Sequence, residues 1–110
     1  MLNNEKRLGD KVIFRIDRNG DVIALFPELP GTTDYYRDCL CYSHLEQHGA
    51  ATLDYVWKNT RPAEPEEYEA LKAELESIRY DLWIGRRMTY IDLCKRRSFV
   101  EQIESSRSKG

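Results

Sequence analysis

The sequence predicts an α+β domain: a small antiparallel-rich sheet packed by one helix, with a C-terminal helical extension. Three observations point there. Residues 11–17 and the apolar run Val22-Ile-Ala-Leu-Phe flank Asn19–Gly20, a hairpin pattern. Tyr68, Leu71, Leu75 and Ile78 recur at steps of three, four and three, which puts them on one helix face. Tyr80, Leu82 and Ile84 then alternate, a strand returning to the sheet straight after the helix.

Residues 1–10 are polar and without period, a loose lead-in. From residue 11, Val12, Phe14 and Ile16 point to one face of a strand and Lys11, Ile13 and Arg15 to the other. Asn19 and Gly20 both tolerate positive φ, which a two-residue type I′ turn demands. Folding there pairs Ile16 with Ile23, Phe14 with Leu25 and Ile13 with Phe26. Both faces then carry apolar pairs, so the second strand should be covered on both sides. Two prolines and a glycine in residues 27–33 form a returning loop, and a third strand begins at about Arg37 and runs to residue 43.

Residues 44–49 read as a turn or single helical turn closed by Gly49 in the left-handed region. In residues 50–57, Leu53, Val56 and Trp57 have helical spacing while Tyr55 and Trp57 have strand spacing; strand or irregular structure is the expectation. Residues 58–63 are a polar connector. Pro65 suits a first helical position, with Glu66 and Glu67 at the positive end of a helix over 65–79. A strand over 80–85 follows. Thr89 with Asp92 resembles a capping signal for a second helix, carried by Ile91, Leu93, Cys94, Val100 and Ile103 to about residue 104; residues 105–110 should fray.

The 110 residues fit a single domain, 1–110, large enough for a core without disulfide or metal support. A net charge of −2 offers no global attraction to nucleic acid or membrane. Three cysteines, an odd count, favour a reducing interior, and no apolar run approaches the ~20 residues of a membrane span. A cytoplasmic protein with no membrane contact is the expectation.

Reactive side chains concentrate in residues 38–50, Asp-Cys-Leu-Cys-Tyr-Ser-His-Leu-Glu-Gln-His-Gly-Ala. Cys39, Cys41, His44 and His48 could form a metal site, since zinc takes four sulfur or nitrogen donors. The one-residue Cys-x-Cys spacer is tight for that, and a strand would put both cysteines on one face as small hydrophobes. A histidine-activated cysteine nucleophile lacks any visible oxyanion hole or orienting group. Tyr42, His44, Gln47 and His48 alternatively offer stacking faces and polar tips to a partner. Arg86 and Arg87, with Lys95, Arg96 and Arg97, are the one basic cluster, suited to nucleic acid or nucleotide, or to a solvated or intersubunit face. No glycine-rich phosphate loop is present, and no cofactor is expected.

The runs Val12-Ile-Phe-Arg, Gly20-Asp-Val-Ile-Ala-Leu-Phe-Pro-Glu, Tyr42-Ser-His-Leu-Glu-Gln-His-Gly-Ala and Glu74-Leu-Glu-Ser-Ile-Arg-Tyr resemble a family of small uncharacterised bacterial and phage proteins carried by mobile elements. The resemblance covers about residues 11–85, and residues 89–110 depart from it. It implies no activity but does imply a setting in which small accessory proteins bind and regulate others. The resulting expectation is a non-enzymatic binding protein with a protein partner, acting through Tyr42, His44, Gln47, His48, Arg86 and Arg87. Homo-oligomerisation through the C-terminal helix, a nucleic-acid or nucleotide binder, and a metal-binding domain are the alternatives.

Overall fold

The computed structural model describes residues 9–43 and 47–109, with the side chains of 47, 48 and 106–109 left aside. The elements are β1 (Asp10–Asp17), β2 (Val22–Phe26), β3 (Asp38–Ser43), β4 (Gln47–Thr52), α1 (Leu53–Asn59), β5 (Thr60–Pro62), α2 (Pro65–Ser77), β6 (Leu82–Ile84) and α3 (Tyr90–Lys109). The sheet order is β4-β3-β2-β1-β5, antiparallel throughout, and β6 joins β1 in parallel. The outer edge of β1 is therefore shared: β5 lies beside residues 15–17 and β6 beside residues 10–12. This is the α+β architecture that the pattern predicts.

The hairpin register differs by one residue from the expected one. Ile16 pairs with Val22, Phe14 with Ala24 and Ile13 with Leu25. The connection is a three-residue loop rather than a type I′ turn. Only Gly20 has positive φ, at 88°, while the Gly20 N–H donates to the Asp17 carbonyl and the Asp17 N–H to the Asp21 carbonyl. That is a type I turn closed by a left-handed glycine. The Asp17 carboxylate stabilises it by accepting from the amides of Asn19 and Asp21. One added loop residue moves Ala24 and Phe26 to the face of Phe14 and leaves Leu25 with Ile13, since side chains alternate.

Both faces of the sheet are buried, as the two-sided apolar pattern requires. Val12, Phe14, Ala24, Phe26 and Tyr42 pack under Leu71 and Leu75 of α2, and the ring of Phe14 stacks on Tyr68 at 4.3 Å. On the opposite face Ile13, Leu25, Cys39 and Ala51 pack with Val56 of α1 and, at the margin, Leu53 and Met88. Burial of this kind stabilises by roughly 25 cal/mol per Å² of apolar surface.

Three further expectations change. Gly49 is extended within β4, opposite Cys41, and does not close a turn; residues 44–46 of the expected turn lie outside the described residues. Residues 53–59 are helix, because Leu53 and Val56 bury one helical face, and part of the polar connector forms β5. Pro65 opens α2 as expected, and the Glu64 amide donates to the Glu67 carboxylate that Arg61 grips with two nitrogens. α2 ends where Arg79 takes φ 80°, a left-handed residue that disfavours a Cβ. Arg79→Gly should therefore raise the unfolding free energy by about 0.5–1 kcal/mol in urea titration, whereas an unstrained Arg79 would make the glycine destabilising.

Candidate functional site

The expected site residues do not come together. Tyr42 is fully buried in the core beneath α2 and its hydroxyl donates to Glu74, so it is a structural residue and not a binding surface. Its place in β3 explains this: it shares a face with Leu40 and with the Ala24 it pairs with. His44 lies outside the described residues. Gln47 and His48 belong to β4, opposite Ser43 and Tyr42. Arg86 and Arg87 are exposed on the link after β6, and the Arg87 carbonyl accepts from Lys11 Nζ at 2.8 Å.

Cys39 and Cys41 share a sheet face and pack in its apolar layer, as a strand predicts. Burial pushes the Cys39 thiol up to about 12 and raises that of Cys41, so both are held as thiols at neutral pH. His48 stands opposite Tyr42 in the ladder and opposite neither cysteine. Among the described residues no cluster of three or more histidine, cysteine or acidic side chains is arranged to hold a metal.

The basic cluster also separates. Arg96 is buried on α3, where its guanidinium donates to the carbonyls of Pro27 at 2.6 Å and Tyr35 at 2.7 Å. Lys95 pairs with Glu28 at 2.9 Å. Arg86, Arg87 and Arg97 are left exposed on two different elements.

These internal bonds dock the first half of α3 on the face away from α2. Thr89 and Asp92 cap the helix reciprocally, amide to side chain in each direction, which confirms the capping signal. The same Asp92 carboxylate accepts from Lys11 Nζ at 2.7 Å, with both side chains almost wholly buried (6% and 3% exposed). Lys11 is thus satisfied by one carboxylate and one carbonyl, and it sits 5.5 Å from the Trp83 ring. Asp92, Arg96 and Val100, four apart, form the buried stripe of α3.

Docking α3 beside α1 leaves a groove of about 820 Å³ between them. Leu53 and Trp57 of α1 form one wall, Met88 and Arg96 another, and Tyr36 and Arg37 a rim. Trp57 is ordered from below: the Arg15 guanidinium lies 4.3 Å from its ring and is itself tied to the hydroxyl and carbonyl of Thr60. Tyr36 is 71% exposed and Trp57 39%. Sequence reading missed these residues because they come from four separate segments. The one local signal was an arginine at position 15 between Phe14 and Ile16 in a buried strand, and its meaning depends on α1 being helical.

A smaller cleft of about 190 Å³ opens at the fork where β5 and β6 leave β1, beside Phe14, Pro62, Tyr68 and Arg86. Comparison with protein-family models, curated proteins and solved structures finds no match to the chain. No helix among the described residues is long and apolar enough to cross a membrane.

If the buried pair holds α3 in place, Lys11→Met should cost about 3–5 kcal/mol by leaving a buried carboxylate without its cation. Adding Asp92→Asn to that variant should recover part of the loss, since an amide oxygen still accepts from the Thr89 amide. Urea unfolding of the two single variants and the double variant checks this; strictly additive losses would contradict it.

Proposed function

We propose that the chain is a non-enzymatic binding module that holds an apolar segment of a partner protein in the groove between α1 and α3. The observation that carries this reading is Trp57, an aromatic ring presented in an open groove and stacked in advance on Arg15. Ordered tryptophans surrounded by partly exposed apolar groups are the side chains on which protein interfaces concentrate their affinity, because little conformational freedom remains to be lost on binding. Tyr36 and Leu53 extend the apolar surface, and the rim offers Arg37 and Asp54, one charge of each sign. An uncharged, apolar stretch with one aliphatic or aromatic anchor fits that wall better than a strongly charged ligand does.

Cys39 and Cys41 of β3 support a role without covalent chemistry at that strand, because their burial disfavours the thiolate that would act as nucleophile. A nucleic-acid role through the basic cluster is less favoured, since Arg96 and Lys95 are committed within the chain. The mobile-element setting implied by the sequence resemblance makes a host protein the first partner to test, in a regulatory or inhibitory capacity. A cytoplasmic location belongs to the same proposal and rests on three cysteines that are all free.

A peptide-display selection against the purified chain tests the reading. Selected peptides should share one large apolar anchor and quench Trp57 fluorescence. Their affinity should fall at least tenfold in Tyr36→Ala and Trp57→Ala, with the thermal midpoint of Tyr36→Ala unchanged because that ring is exposed. Absence of enrichment, or binding that both substitutions leave intact, would overturn it.

A further inference from the structure

The two ends of the sheet are built differently. β5 is three residues long and contains Arg61 and Pro62, and β6, also three residues, takes up the rest of that edge. Shortness, charge and proline are the features that keep a sheet edge from adding strands. β4 has none of them. It keeps six residues in unbroken register with β3, from Asp38↔Thr52 to Ser43↔Gln47. Its sequence, Gln-His-Gly-Ala-Ala-Thr, carries no proline and no acidic, lysine or arginine side chain, and Gly49, Ala50 and Thr52 are exposed.

The direction of its backbone groups follows from alternation. Ala63 donates to the Phe14 carbonyl, so Phe14 faces β5 and its neighbour Ile13 faces β2. Carried across the pairs Ile13↔Leu25, Ala24↔Tyr42 and Cys41↔Gly49, the alternation turns Gln47, Gly49 and Ala51 towards β3. His48 and Ala50 accordingly direct their N–H and C=O groups to the open edge.

We propose that this edge pairs with β4 of a second copy of the chain, antiparallel about a two-fold axis at Ala50, to make one continuous sheet across a homodimer. That axis sets Ala50 opposite itself in a pair exchanging both hydrogen bonds, and His48 opposite Thr52 of the partner subunit. Near a two-fold axis every charge meets its own copy, and residues 47–52 hold no carboxylate, ammonium or guanidinium to repel. The small side chains of Gly49, Ala50 and Ala51 let two edges close to strand spacing. A foreign peptide added to an edge is recognised through side-chain pockets beside it. Of the two clefts described, only the groove touches β4, and only at Thr52. Self-pairing needs register alone.

Sedimentation velocity from micromolar to near-millimolar protein tests this, independently of the groove. The mass should rise from 13.0 kDa towards twice that value. Ala50→Pro removes the outward amide while sparing the amides that bond to β3, so it should remain monomeric across the range. A wild-type chain that stays monomeric throughout, or a dimer that survives Ala50→Pro unweakened, would overturn the proposal. Should that variant fail to fold, amide exchange in the wild type decides the question. The His48 and Ala50 amides should exchange at least tenfold more slowly in concentrated than in dilute protein; equal rates would overturn the proposal.

Discussion

Lys11 and Asp92 meet inside the protein across 81 positions of the chain, and the seating of α3 on that face of the sheet depends on the contact. A buried lysine is costly unless its charge and its donors are met, and here a carboxylate and a backbone carbonyl meet them. The carboxylate simultaneously caps the helix that brings it. Arg96, one turn further along, repeats the device with two carbonyls. Helix α3 is thus fastened by directed polar bonds, whereas α2 is held by the apolar stripe of Leu71 and Leu75.

The difference has a functional consequence. An apolar stripe packs along a face closely, as α2 does over Phe14 and Phe26. A helix held by a few polar bonds near its start can cover a face only partly. The uncovered remainder, between α1 and α3, is the groove in which Trp57 and Tyr36 remain accessible. The open edge of β4 is a separate surface of the same sheet, formed by backbone groups and small side chains. One surface suits side-chain recognition and the other suits continuation of the sheet.

Much of the fold was legible because its signals are local. Alternation in residues 11–17, the three-four-three spacing of α2, Pro65 at the first helical position and the Thr89–Asp92 cap each depend on residues near one another. The hairpin register was misread because Asn19–Gly20 suits two turn types, and the Asp17 carboxylate selects the longer loop. Helix α1 was misread because Trp57 fits either period, and burial of Val56 decides for the helix. The candidate site was hardly legible at all. Tyr42 looked like a recognition residue beside the histidines, yet it lies in the core; Arg96 looked like part of a basic surface cluster, and nothing near Lys11 in the sequence marks its buried partner. Each needs a partner more than sixty positions away, or the opposite face of a sheet, to acquire its meaning.

Native-state hydrogen exchange along α3 tests most directly whether buried polar bonds fasten that helix. The account predicts that amides of residues 93–100, beside Asp92, Arg96 and Val100, exchange only through global unfolding, while those beyond residue 101 exchange far faster. Fast exchange along the whole helix would contradict it, because α3 would then not be docked and the groove would lose one of its walls.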